Sequence, residues 1–160
     1  MVSQKCQYAL RAVFELSLRH GGPPINTAEI AQSQAIPLRF LEVILNQLKQ
    51  ARLVKSVRGK EGGYLLARLP EEITVGEVIR FIEGQLAPVE CVLGTEEEKD
   101  CPFYGSCVFL PMWEEVEKAL SGVYDQTTFY DLVSRWRAGE KRRPSDGNRG
   151  KKGGTKNGRK

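Results

Sequence analysis

Three cysteines lie close together in the chain, Cys91, Cys101 and Cys107, and the stretch between the first two is rich in glutamate. Thiolates are the usual ligands of iron–sulfur clusters and of structural zinc. A polar, acidic setting argues against three thiols that simply pack in a core. The spacing therefore predicts a cluster or metal site with one coordination position left for a residue from elsewhere.

The composition limits where such a site operates. No apolar run approaches the roughly 20 residues that a membrane span requires, and no secretory signal is recognisable, so we expect a cytoplasmic protein. In a reducing compartment four cysteines favour metal or redox chemistry over disulfides. No Ser, His and Asp arrangement, phosphate-binding loop or paired carboxylates can be recognised, and we expect no enzyme activity.

Charge is divided along the 160 residues, whose net charge is +4. Residues 1–70 carry ten Lys and Arg against four Asp and Glu, residues 71–137 carry five against fourteen, and residues 138–160 carry nine against two. A polyanion would be attracted by the first and last segments and repelled by the middle one. We expect these segments to be a DNA-binding region, a region for the cysteines and dimerisation, and a disordered basic tail.

The elements of the first segment predict a winged helix-turn-helix. Helices are expected over residues 3–20, over residues 27–35 with Thr27 as N-cap, and over residues 37–51, whose Leu41, Ile44, Leu45 and Leu48 form one apolar stripe. Alternation in residues 53–58, a glycine-rich turn and Tyr64 to Leu66 predict a β-hairpin. In such a fold the third helix enters the major groove and the hairpin reaches the backbone or the minor groove.

The residues expected to contact DNA follow from that layout. The face opposite the apolar stripe is expected to be entirely polar or basic, and the hairpin tip is basic. The candidate DNA-binding residues are Arg39, Glu42, Asn46, Gln47, Lys49, Arg58 and Lys60. Gly62 and Gly63 are expected to supply positive φ in the turn.

The second segment predicts three more helices. One is capped by Thr74 and runs to Glu83, a long one runs from Pro111 to Gly122, and a last one covers residues 129–136 after Thr127 or Thr128. The long helix is too apolar on one side for a monomer and is expected to dimerise. The predicted fold is thus mainly α with one small hairpin and a long C-terminal dimerisation helix.

Four stretches resemble the Rrf-type iron–sulfur transcription regulators, the family of IscR and NsrR. They are Tyr8-Ala9-Leu10-Arg11, Leu41-Glu42 with Leu48, the segment 56–65 in the wing, and the segment 101–107 with its two cysteines. The resemblance implies a homodimer that binds roughly palindromic double-stranded DNA. It also implies a [2Fe–2S] or [4Fe–4S] cluster on Cys91, Cys101 and Cys107, through which a regulator, expected to be a repressor, senses iron, nitric oxide or redox state.

The fourth ligand is where the chain departs from this pattern. In IscR-like members a histidine three residues after the last cysteine completes the site, but here that residue is Leu110. NsrR-like members instead use a carboxylate from the first helix. Because a thiolate is a good iron ligand, we expect Cys6 of the other subunit to fill this place. A packed Cys6, a zinc or thiol switch with the same DNA-binding half, and a small electron-transfer protein remain alternatives.

Overall fold

The computed structural model describes residues 2–85, 87–93 and 101–140. It is mainly helical with one two-stranded antiparallel hairpin, which confirms the predicted fold class. The elements are α1 (Gln4–Leu18), α2 (Thr27–Ser33), α3 (Leu38–Gln50), β1 (Val54–Val57), β2 (Gly63–Leu66), α4 (Val75–Glu83), α5 (Leu110–Gln126) and α6 (Phe129–Glu140). No helix in these ranges is long and apolar enough to cross a bilayer.

The helix-turn-helix is formed by α2 and α3. The N-cap of α2 is Asn26 and not Thr27 as predicted, because the Asn26 side-chain oxygen accepts a hydrogen bond from the Glu29 backbone N–H at 2.9 Å. Thr27 is the first helical residue. Asparagine caps a helix at least as well as threonine, so the sequence offered two suitable caps in succession.

The core lies between α1 and α3, with α2, the hairpin and α6 packed around it. The predicted apolar stripe of α3 is buried, and it meets the buried face of α1. Each such leucine or isoleucine stabilises the fold by roughly 1.5–3 kcal/mol relative to an exposed one. This burial fixes the rotation of α3 about its axis and thereby determines which of its side chains face solvent.

The hairpin is extended by a bridge from the segment before α2. The Tyr64 backbone N–H donates to the Ile25 carbonyl at 2.8 Å and the Ile25 N–H donates back at 3.1 Å. The prediction for the glycines was wrong: Gly59 has the positive φ, +120°, and Gly62 and Gly63 do not. Gly63 is needed because a Cβ there would lie 2.4 Å from the Ile25 carbonyl oxygen.

The C-terminal helices are longer than predicted. Helix α5 continues to Gln126, and α6 is capped by Thr128, whose hydroxyl oxygen accepts from the Asp131 N–H at 3.1 Å while Asp131 accepts from the Thr128 N–H at 3.0 Å. Helix α6 includes residues 138–140, which were expected to belong to a disordered tail. The remaining tail, residues 141–160, lies outside the described residues.

Candidate functional site

The outward face of α3 carries four of the predicted DNA-binding residues. Arg39, Glu42, Asn46 and Lys49 are all exposed, and their spacing of three or four residues aligns them along the helix. Gln47 differs. It is half-buried at the edge of the apolar stripe, and its side-chain oxygen is buried without a hydrogen-bond partner among the described residues, so it is the least available of the set.

The exposed surface of α3 also carries apolar residues that sequence reasoning missed. Leu38, Phe40 and Val43 are 47%, 48% and 56% exposed, so the expectation that everything opposite the buried stripe is polar was wrong. The candidate base-reading stripe is the exposed row formed by Arg39, Glu42, Asn46 and Lys49. Val43 follows Arg39 by four residues and therefore lies on this stripe. An exposed apolar side chain there suits the methyl group of thymine. The helical phase of the buried stripe was the signal that could have identified it.

The hairpin tip presents the two predicted basic residues to solvent. Arg58 and Lys60 are exposed on either side of Gly59. The positive φ of Gly59 makes the tight turn that separates them. The wing therefore offers two cations in addition to those of α3, and a phosphate or a narrow minor groove would attract them.

The three clustered cysteines line one open pocket of about 360 Å³. Cys91 lies in a short 3₁₀ turn, Glu90–Val92, and is half-buried, as is Cys107. Cys101 is exposed and begins a turn in which its carbonyl accepts from the Tyr104 N–H at 2.9 Å. The positive φ of Gly105, +75°, reverses the chain toward Cys107.

The pocket also contains a carboxylate that the sequence analysis did not select. Leu110 and Glu114, one turn apart at the start of α5, both line it. Among the described residues no three His, Cys, Asp or Glu side chains lie close enough together to hold a metal ion, so ligation requires the thiols to draw together. Three thiols with one oxygen donor in a single pocket match the donor chemistry of an iron–sulfur cluster, and they match zinc as well.

Cys6 lies elsewhere. Its side chain is completely buried in α1 and is absent from the lining of the cysteine pocket. Burial, and then the neighbouring carboxylate of Glu83, raise the pKa of the Cys6 thiol to about 12. Glu83 is held in place by Ser3, whose backbone N–H donates to it at 3.0 Å. Within one chain, Cys6 is therefore a protonated core residue, and its predicted ligation from a partner subunit stays a prediction.

Comparison with known proteins gives consistent matches over nearly the whole described chain. The profile of a family described as Rrf2, iron-dependent transcriptional regulator, matches residues 2–135. The HTH-type transcriptional regulator CymR of Bacillus subtilis (strain 168) is 36% identical over 133 residues, covering 83% of this chain and 89% of CymR. IscR of Sodalis glossinidius (strain morsitans) is 32% identical over 133 residues, covering 83% and 78%.

Two solved structures share the architecture. CymR (YrzC), described as the global cysteine regulator of B. subtilis, has a TM-score of 0.70 at 36% identity and covers 84% of this chain and 97% of its own. T. potens IscR has a TM-score of 0.71 at 34% identity, with 91% and 93% covered. The predicted resemblance and winged fold are confirmed, and the similar proteins include regulators named CymR as well as regulators named IscR.

Proposed function

Because the chain belongs to the Rrf2 family of DNA-binding transcription regulators, we propose that it is a cytoplasmic homodimeric repressor controlled by an iron–sulfur cluster on Cys91, Cys101 and Cys107. The single observation that carries this proposal is the convergence of all three cysteines on one pocket. That pocket lies at the start of α5, the helix that follows the cysteines in the chain.

The DNA-binding half reads sequence mainly through α3. Arg39 suits a guanine edge, Asn46 an adenine edge, and Glu42 accepts from cytosine or rejects other bases. Lys49, Arg58 and Lys60 are cations for phosphate or the minor groove, and the half-buried Gln47 has a secondary part at most. Two copies related by a two-fold axis then require a roughly palindromic operator.

A bound [2Fe–2S] or [4Fe–4S] cluster would supply a group sensitive to redox state, iron supply and nitric oxide. Cys91, Cys101 and Cys107 would hold it, and α5 would transmit its presence. The first turns of α5 carry Leu110 and Glu114, which line the cysteine pocket. Near the other end of α5, Asp125 binds Arg80 of α4. Drawing the thiols together on a cluster would reposition α5 against α4, and a shift of a few kcal/mol between two dimer arrangements would suffice to change DNA affinity.

The fourth ligand has two candidates. The expected one is Cys6 of the partner subunit, which must first leave its buried, protonated position. Glu114 is the other, because it lines the pocket already and carries an oxygen donor. Absorption spectra and iron counts of Cys6→Ala and Glu114→Gln distinguish them, since loss of the true ligand shifts the spectrum and lowers cluster retention, whereas loss of the other does not.

A thiol switch or a zinc site is the competing function for the same pocket. It is favoured by the exposure of Cys101 and by the likeness to a regulator described by its link to cysteine. In that case the thiols respond by oxidation or hold zinc, and DNA binding depends on redox state without iron.

Anaerobic purification decides between these functions. Iron and sulfide are counted and a spectrum is recorded before and after exposure to air and to nitric oxide, with operator binding measured in each state. We expect a coloured protein whose DNA affinity changes on cluster loss, and Cys101→Ser abolishes both properties while Ser106→Ala, in the same turn, keeps them. A colourless protein without iron after reconstitution would contradict cluster sensing, and zinc in its place would establish the alternative.

A further inference from the structure

A basic groove lies at the C-terminal end of α3, beside the base of the hairpin. It is open, has a volume of about 570 Å³, and four of its seven lining residues are cationic: Lys49, Arg52, Lys55 and Arg68. Arg68 is paired with Glu77. No ion pair with a described carboxylate involves the other three, so their charges are available to an external anion.

Arg52 has an unusual backbone conformation for its residue type. Its φ is +56°, in the left-handed region, and only one other non-glycine residue of the described chain, Ala35, has a positive φ. Arg52 ends α3: its N–H donates to the Lys49 carbonyl and the next N–H, of Leu53, donates to the Leu48 carbonyl, both at 3.0 Å. Glycine is the residue that usually closes a helix in this way, because it has no Cβ to strain the backbone.

Closing the helix therefore does not explain why an arginine occupies this position. A cation near a helix C-terminus also interacts favourably with the helix dipole. Lys49 already provides that interaction in the last turn of α3. Arg52 keeps a strained backbone and its charge lines an open basic groove, and this combination points to a role in binding an anion.

We propose that this groove binds a backbone phosphate of the DNA, with Arg52 and Lys55 as its principal contacts. The proposal rests on the proposed DNA-binding function and extends it to a contact outside the base-reading stripe. Lys49 is the last member of that stripe and also lines the groove, so the two surfaces are continuous. A phosphate contact of this kind fixes the orientation of α3 on the duplex and carries no sequence information of its own.

Arg52→Gly and Arg52→Asn provide the test, because both residues adopt positive φ readily and neither carries charge. Binding of the full-length protein to its operator and to an unrelated duplex is measured over a range of salt concentrations. Both affinities should fall by the same factor, roughly tenfold per subunit at about 0.1 M salt, and the slope of log K against log salt should decrease by about 1 per subunit. Arg52→Gly should unfold at a higher temperature than the wild type.

Two matched variants isolate the charge from the strain. Ala35→Gly relieves the same backbone strain without changing charge, and Arg135→Gln removes an exposed charge from α6, far along the chain from the groove. Both should retain the wild-type slope. Lys55→Gln should reproduce the loss seen with Arg52→Asn.

Three results overturn the proposal. If Arg52→Asn keeps the wild-type slope while the wild type binds its operator, the groove is not a DNA contact, although the proposed function stands. If inorganic phosphate raises the unfolding temperature of the wild type but not of Arg52→Asn, and the slope is unchanged, the groove is a small-anion site. If the wild type binds no duplex at all, the proposed function fails and the groove proposal fails with it.

Discussion

The guanidinium of Arg39 lies over the ring of Phe40, with its Cζ atom 4.8 Å from the ring centroid. Both residues are exposed on the first turn of α3, so neither is held by the core. A cation over an aromatic face at an exposed site contributes roughly 0.5–1 kcal/mol. The stacking restricts the arginine side chain in the free protein, so less side-chain entropy would be lost in the proposed contact with a guanine.

Phe40→Ala should weaken operator binding by about the same 0.5–1 kcal/mol, a factor of roughly two to five, without an equal loss of fold stability. The measurement is a double-mutant cycle with Arg39→Ala, using fluorescence anisotropy on a labelled operator. Because Phe40 acts through Arg39, the two losses should not add. Additive losses would show that the phenylalanine contacts DNA independently, and Leu38→Ala serves as the control for removal of a neighbouring exposed apolar side chain.

The recognition helix shows how far sequence reasoning reached. Periodicity identified the buried stripe of α3 correctly, because burial requires one face of a helix to be apolar throughout. The phase of that stripe also places Val43 on the opposite face of the helix, but nothing in a single sequence marks the exposure of Phe40, which lies at the edge of the stripe. The conformation of Arg52 was equally unpredictable, since glycine is the residue by which a left-handed position is recognised.

A second pair, Arg80 and Asp125, joins α4 to the end of α5. Two hydrogen bonds link them, one of 2.7 Å from the Arg80 Nη1 to the Asp125 Oδ1. The hydrogen bonds from Arg80 lower the pKa of Asp125 below its ordinary value of 3.8. A carboxylate of this kind stabilises the fold above its unfolded pKa, and that contribution is lost as pH falls through the lowered value.

Asp125→Asn should therefore be less stable than the wild type near neutral pH, and the difference should shrink once the pH falls below about 4. Thermal unfolding of both proteins over a pH series measures it. Asp131, whose pKa is also lowered by its hydrogen bonds with Thr128, titrates in both proteins and cancels in the comparison. A difference that stays constant down to low pH would mean that Asp125 is not ionised in this pair.

Gly76→Ala tests the same junction by a steric route. A Cβ at Gly76 would lie 2.0 Å from the Asp125 Oδ1, so the alanine must displace the carboxylate from Arg80. We expect lower thermal stability. We also expect the DNA affinities of the cluster-loaded and cluster-free forms to differ less in this variant than in the wild type. Gly122→Ala is the control, because it lies on α5 and a Cβ there meets nothing within 4 Å. If Gly76→Ala and Gly122→Ala alter the effect of the cluster on DNA affinity equally, the Arg80–Asp125 pair does not transmit the signal.

Helix α5 is the candidate dimer surface because it has no buried residue although it carries Met112, Leu120 and Val123, which are 44%, 36% and 65% exposed. Val123→Glu should convert a dimer to a monomer and abolish operator binding, which requires two half-sites. Analytical ultracentrifugation measures the first effect and anisotropy the second. Lys118→Glu, an exposed change on the same helix, should leave the dimer intact, and a dimeric Val123→Glu protein would place the interface elsewhere.

The cysteine site was only partly predictable. Residue type and spacing identified Cys91, Cys101 and Cys107, since ligand sulfurs are recognisable without knowledge of the fold. Glu114 was not recognised, because a glutamate in an acidic helix is ordinarily a solvated residue and only the turn at Gly105 brings the loop against it. The apolar pattern of α1 allowed a packed Cys6 as well as a ligating one, and its burial follows from how α1 packs.

Cys6 gives a prediction that follows from burial alone. At about pH 8 its thiol stays protonated in the folded chain, because burial and Glu83 raise its pKa to about 12, and only a thiolate reacts with disulfide reagents. In the cluster-free protein, Cys91, Cys101 and Cys107 should react promptly, with the exposed Cys101 among the fastest, whereas Cys6 should react only at the rate of unfolding. Kinetics with a chromogenic disulfide, on wild type and Cys6→Ala, separate the two phases, since the slow phase should vanish in the variant.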